Sequence, residues 1–415
     1  MTIDFCELYS AFLYKESVQY YLTQNTYHTL IPEQFEKQLD KLKADNLFRQ
    51  RMTRTSKAGR YVSVEGKQML NFNSNDYLGL ANHPAVILAA QEAAHKFGFG
   101  STGSPLMSGY TSLHQELEFA MADFLSYPRV VLFSAGYLAN LGVAQALLKR
   151  NDWFIQDRLN HASLIDAAQI TGATLKRYPH LNNTKAEDLL KEDVNRFKLW
   201  ATEGVFSMDG DSHDLFSAAL SAHTFNATLW VDDCHGVGVL GEQGRGVLDT
   251  LALSDVEVPI LSGTFGKAFG TCGAYVAASE SIIETIIQKA RTYKFNTALP
   301  VPVVAATLKS LDIIRSEPWR REKILELIYL FQKGCEQYGL SDVAQFTDSP
   351  IQPIMLKSET AAIEKSDYLK KCGIITTAIR PPTVPKNQCR LRITLNSNLE
   401  QEDIDLLIQC LIGNY

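Results

Sequence analysis

The chain has 415 residues, 46% of them apolar and 21% charged, with a formal net charge of −6. That length is too great for one ordinary core and suits two domains or one large α/β domain with an appendage, and the composition is that of a globular protein. The acidic balance without a dense Lys/Arg cluster argues against a nucleic-acid footprint, no apolar run approaches a membrane span, and the start, Met1-Thr2-Ile3-Asp4-Phe5, lacks the basic-then-apolar order of a secretory signal, so a cytoplasmic protein is expected.

Seven scattered cysteines, none in a C-x-x-C pair, predict reduced thiols and give a metal site no support. Residues up to about 33 are rich in aromatics (Tyr9, Phe12, Tyr14, Tyr20, Tyr21, Tyr27) without a period, and packing against the body is expected of them. From Pro32 to Arg51 the apolar residues Phe35, Leu39, Leu42 and Leu47 recur at helical spacing, which predicts an amphipathic helix. Segments 61–64 and 69–72 read as a hairpin around Glu65-Gly66-Lys67-Gln68, followed by the polar turn Asn73-Ser74-Asn75-Asp76-Tyr77. A helix is predicted from Pro84 to about Phe97, broken by Gly98, Gly100 and Gly103.

Between residues 113 and 278 helical patterns alternate with short apolar runs at 130–133, 153–156, 198–201, 228–231, 258–261 and 274–277. Such alternation predicts a mostly parallel sheet with helices on both faces. Ligands of that architecture bind beyond the carboxyl ends of the strands. The residues that follow the runs are Gly136 and Tyr137, then His161, then Glu203 and Ser207, then Asp232 and His235, then Thr264 and Lys267. Beyond Pro300, helices at 303–316 and 320–338, strands around 351–356, 374–377 and 389–395, and a helix from about Leu399 read as a smaller α+β domain. The expected division is therefore 1–79 (extension, helix and hairpin), 80–299 (large α/β domain) and 300–415 (small domain).

Lys267 sits in Gly263-Thr264-Phe265-Gly266-Lys267-Ala268 with no carboxylate beside it in sequence. Small neighbours leave room for a planar group at its amine, the situation Schiff-base chemistry needs. Asp232 ends a buried run, where a carboxylate requires a donor such as a pyridinium N–H. His161 could stack on a ring, His235 and Ser207 could meet a ring oxygen, and Gly136, Tyr137 and Thr264 could cradle a phosphate at a helix N-terminus. Pyridoxal phosphate asks for this set of groups. Two G-x-G-x-x-G matches, at Gly236 and Gly98, lack the strand-then-helix context of a dinucleotide site.

These residues, together with Ser74-Asn75-Asp76-Tyr77-Leu78-Gly79-Leu80, Thr202-Glu203-Gly204-Val205-Phe206-Ser207-Met208-Asp209-Gly210-Asp211 and Ala378-Ile379-Arg380-Pro381-Pro382-Thr383-Val384-Pro385, resemble the α-oxoamine synthases from about residue 35 onward. The resemblance implies a fold-type I pyridoxal 5′-phosphate enzyme that condenses an amino acid with an acyl thioester and loses CO2. The last motif points to the biotin branch, hence to L-alanine and a pimeloyl thioester of CoA or acyl-carrier protein. It also implies a homodimer with shared sites, no nucleic acid and no membrane. Lys267, Asp232, His161 and His235 would be catalytic. Gly136, Tyr137, Glu203, Ser207, Thr264 and Thr297, the last reaching the neighbouring subunit's phosphate, would bind cofactor, and Arg49, Asn75 and Arg380 would bind substrate, with Arg51 close enough to compete with Arg49. Cys234, where the branch usually has Ala, and Thr271-Cys272 depart from the pattern. Glycine C-acetyltransferase and a non-catalytic partner subunit are the alternatives, the second disfavoured by the retained Lys267.

Overall fold

The computed structural model describes residues 33–192 and 195–413, which fall in two units divided between Arg51 and Met52. In the first, the helix Glu33–Ala44 starts on Glu33 and Glu36 and ends on Lys41 and Lys43, charges that suit its macrodipole. It is shorter than the predicted Pro32–Arg51 span, and the chain turns at Asn46 with φ 55°. The aromatic stretch before it lies outside the described residues.

The second unit begins with the hairpin β1 (Tyr61–Val64) and β2 (Lys67–Asn71). Its turn is Glu65-Gly66, both at positive φ, two residues shorter at its end than the sequence suggested. A helix, Pro84–Phe97, follows. Then come β3 (Arg129–Phe133), β4 (Trp153–Asp157), β5 (Thr174–Tyr178), β6 (Lys198–Glu203), β7 (Thr228–Asp232), β8 (Ile260–Thr264) and β9 (Ala274–Ala278). They form one sheet in the order β3-β9-β8-β7-β6-β4-β5.

Six of these strands run one way and β9 runs against both neighbours. Only residues 265–273 join β8 to β9, too few for the crossover a parallel pair needs, so the chain must reverse. Lys267 lies inside that reversal. Gly270, at φ 66°, completes it, and a Cβ there would come within 2.3 Å of the Ala81 backbone nitrogen.

Alternate side chains fill the two faces. Trp230 stacks on Phe154 with ring centroids 6.0 Å apart on the side covered by the helices Gly136–Leu147 and Ala162–Thr171, while Trp200, Leu229 and Val231 enter the larger core opposite. Burial on both faces explains the near-continuous apolar runs.

The C-terminal segment adds the helices Val301–Ser316 and Trp319–Gln337, then β10 (Ile351–Lys357), the helix Glu359–Lys371, β11 (Ile374–Ile375), β12 (Thr377–Ile379), β13 (Cys389–Thr394) and the helix Gln401–Ile412. The single strand expected near 374–377 is two. β11 pairs with β2, and one residue later β12 joins β13 and so the sheet of β10. Replacing Gly270 with Ala is expected to cost ~1–3 kcal/mol through the positive φ and the backbone collision; chemical denaturation checks this, and a parental midpoint would contradict the close approach.

Candidate active site

All six co-directional strands deliver their carboxyl ends to one edge of the sheet. From the β8–β9 reversal the Lys267 amine reaches Nε2 of His235, 2.7 Å away, just past β7. The Tyr77 hydroxyl lies 2.6 Å from Nδ1 of the same ring. His235 is buried, and that burial, with the charges of Lys267 and Arg392, pushes its proton affinity well below the usual imidazole value. It is therefore neutral and can serve one neighbour as donor and the other as acceptor.

Arg392 of β13 closes this side. It donates to the Asn75 side-chain oxygen at 3.0 Å, to the Ser207 carbonyl at 2.6 Å and to Thr394 at 2.9 Å. Thus the short C-terminal sheet contributes a buried cation to an edge built by the large one.

Asp232, at the tip of β7, is held through Oδ2 by the Asn140 amide at 2.7 Å, and Asn140 also donates to Ser163 at 2.9 Å. Its other oxygen, Oδ1, is buried without a partner among the described residues. A buried carboxylate oxygen left so is costly unless a donor completes it. A ring N–H at this position supplies one, so the residues present fit a protonated pyridine.

Glu203 stands opposite Asp232 in register on β6 and accepts from the His161 backbone N–H at 2.5 Å and from that of Ser207. Burial, with Asp232 beside it, pushes its carboxyl up to about 8. Asp233, also buried, is pushed to about 7 by burial although the N–H groups of Gly236 and Val247 bind it. His161 has Nδ1 2.8 Å from the Ser163 hydroxyl, and enclosure of its ring, with the Lys267 charge, lowers its proton affinity. The residue as a whole nonetheless has an exposed face at the edge.

At the far side Gly136 opens the helix Gly136–Leu147, and a Cβ on it would lie 4.0 Å from Thr264 Cβ, ordinary contact. The Thr264 hydroxyl accepts from the Gly266 N–H at 3.1 Å and donates to the Gly273 carbonyl at 2.9 Å. Tyr137 meets His161 edge-on at 6.1 Å and bonds Asp166 through its hydroxyl. The first N–H groups of this helix receive no side-chain cap from Ala135 and, with the nearby Thr264 hydroxyl, make a set of donors suited to an anion.

Lys267, His235, Asp232, His161, Glu203, Ser207, Gly136, Tyr137 and Thr264 thus share one edge, with Asn75 joined through Arg392. Thr297 is exposed in the segment whose Asn296 bonds Ser134. Arg380 follows β12, and Arg49 belongs to the other unit. Sequence reading missed Asn140, Ser163 and Arg392 and gave Tyr77 no role. Only Tyr77 had a signal, its place in the polar turn after the hairpin. Neither G-x-G-x-x-G stretch opens a helix at its first glycine: Gly236 enters a series of turns and Gly98 ends a helix.

Residues 67–411 match the family described as aminotransferase class I and II. The chain is 47% identical to an 8-amino-7-oxononanoate synthase of Pseudomonas syringae pv. syringae, over 90% of this chain and 93% of that protein. It is 46% identical to one of Saccharophagus degradans, over 92% and 96%. Among solved structures, a serine palmitoyltransferase of S. paucimobilis with bound PLP-myriocin aldimine superposes with a TM-score of 0.87 at 26% identity, covering 93% of this chain and 98% of that one. An 8-amino-7-oxononanoate synthase of Francisella tularensis does so with 0.73 at 33%, covering 83% and 97%.

A carboxyl that binds its proton more tightly when folded contributes stability at low pH and loses it as pH rises through the folded value. For Glu203 that window runs from the ordinary carboxyl range to about 8. Cofactor-free Glu203→Gln is therefore expected to lose less stability than the parent between those limits. Denaturation midpoints across pH measure it, and parallel curves would place the Glu203 proton elsewhere.

Proposed function

The chain belongs to the class I and II aminotransferase family and, within it, to the 8-amino-7-oxononanoate synthases, and from this we propose that it condenses L-alanine with a pimeloyl thioester to give 8-amino-7-oxononanoate, CO2 and free thiol for biotin synthesis. It is a pyridoxal-phosphate-dependent acyltransferase of the α-oxoamine synthase type, in agreement with the resemblance carried by its motifs. The observation that carries the reading is the unpartnered Asp232 oxygen at the same sheet edge as the Lys267 amine.

When bound, the cofactor supplies an aldehyde that joins the amino acid and a ring that draws electron density from Cα. Asp232 Oδ1 would accept the ring N–H and keep it protonated, with Asn140 fixing the carboxylate. Lys267 would hold the cofactor and, as a free amine, would take the Cα proton of the bound alanine and later return one. Neutral His235 orients that amine and, with Ser207, would meet the ring oxygen. His161 would cover the ring face and assist proton transfer at the thioester carbonyl. Glu203 holds the backbone of both His161 and Ser207.

Gly136, Tyr137 and Thr264 would hold the phosphate, and Thr297 would reach that of the neighbouring subunit in a homodimer. Arg380 would receive the α-carboxylate and Asn75 would contact the substrate, while Arg49, with Arg51 as its near alternative, is the residue proposed for the distal carboxylate of the pimeloyl chain. Residues 80–299 make the cofactor-binding part and 300–415 the smaller lobe. Among the described residues no helix is long and apolar enough to cross a membrane, and the cytoplasm is the compartment proposed.

Turnover of alanine with pimeloyl-CoA should exceed that of glycine with acetyl-CoA, and Lys267→Ala should lower it by ~10²–10⁴-fold or more while removing the lysine-bound cofactor absorbance. Wild-type turnover in that variant would sink the assignment.

A further inference from the structure

One charged cluster on the same edge takes no part in the steps above. His180 follows β5, with Nδ1 3.0 Å from Asp157 Oδ1 and Nε2 3.1 Å from Asp211 Oδ2. A neutral imidazole can donate from only one nitrogen, and a lone pair facing a carboxylate would repel it. A ring placed between two carboxylates is therefore an imidazolium. Although burial opposes the charge, the two acids raise its proton affinity to about 10. His213, the other titratable ring packed nearby, has its proton affinity lowered by burial and adds no charge. The edge of Phe206 closes the remaining side, 4.5 Å between centroids.

Each acid shapes a loop. Asp157, fully buried, accepts from the N–H groups of Leu159 at 2.7 Å and Leu181 at 2.8 Å, and its carbonyl accepts from Asn160, the residue before His161. The Asp211 carbonyl accepts the Phe206 N–H at 2.9 Å and closes the 206–211 turn that holds Ser207. Arg390, bonded to Asp209, and Arg392, on the Ser207 carbonyl, grip that turn from the opposite lobe.

We propose that His180 is a positioning residue for the condensation: its doubly bonded ring ties the loop of His161 to the turn of Ser207, so that face and edge of the cofactor ring are held as one body. This rests on the reading of His161 and Ser207 as ring contacts. Without the cation, Asp157 and Asp211 repel each other and the two loops separate.

In the holoenzyme, His180→Gln should lower kcat by roughly 10- to 100-fold, the effect of a small misplacement of reacting groups, with KM little changed and the visible circular dichroism of the bound cofactor reduced. Adding Asp211→Asn removes the uncompensated charge and should restore much of both. Unchanged kcat and dichroism in His180→Gln, or loss with no recovery in the double variant, would overturn the proposal. Should the variants not fold, nitrogen NMR of the wild-type holoenzyme without substrate decides: both His180 nitrogens should stay protonated from about pH 7 to 9, above the range where an ordinary histidine loses its proton, and a ring with one N–H there refutes it. That measurement is independent of the reaction assigned, which the Lys267 variant tests alone.

Discussion

Four carboxylates, Asp157, Glu203, Asp232 and Asp233, stand at the exit edge of the central sheet with almost no access to water. Each needs donors, because a buried acid without them is not tolerated. Asp157 takes two backbone N–H groups and a histidine, Glu203 two backbone N–H groups, and Asp233 two more. Asp232 is the exception, with one oxygen satisfied by Asn140 and one not. The loops above the edge are shaped by these demands, and the one left unmet among these four, at Asp232, is where we place the ligand.

The same logic explains how much could be read beforehand. Strands buried on both faces announce themselves as apolar runs, and the residue types at their ends, Lys267, Asp232, His161 and His235, suggest a chemistry even before they are known to be adjacent. By contrast β5 went unread, since Thr174-Leu175-Lys176-Arg177-Tyr178 is an edge strand whose burial is partial and whose side chains are half polar. Its loss hid His180 as well. The helix Glu359–Lys371 was missed because its mixed face gives a weak period. Asn140 and Ser163 look like ordinary helix residues until the fold brings them beneath Asp232. Arg392 lies 125 residues beyond Lys267 in a different sheet, a distance along the chain over which spacing carries no information.

The C-terminal segment is more than a cover. Residues 374–379 leave the sheet of β1 and β2 and enter that of β10 and β13 within a single residue's interval. The two small sheets are thereby covalently continuous at the point where the chain runs on to Arg380. Arg390 and Arg392, in the central strand of the second, reach the turn that bears Ser207.

The antiparallel insertion of β9 between β3 and β8 also bears on how the protein is made. Strand β3 is complete at Phe133, yet Ala274–Ala278, its only sheet partner among the described residues, has not been synthesised. At ~5–20 residues per second, about 140 residues of further translation leave that apolar strand unpaired on the ribosome for on the order of ten seconds. The sheet therefore closes late, around a strand that must wait for the second half of its own fold.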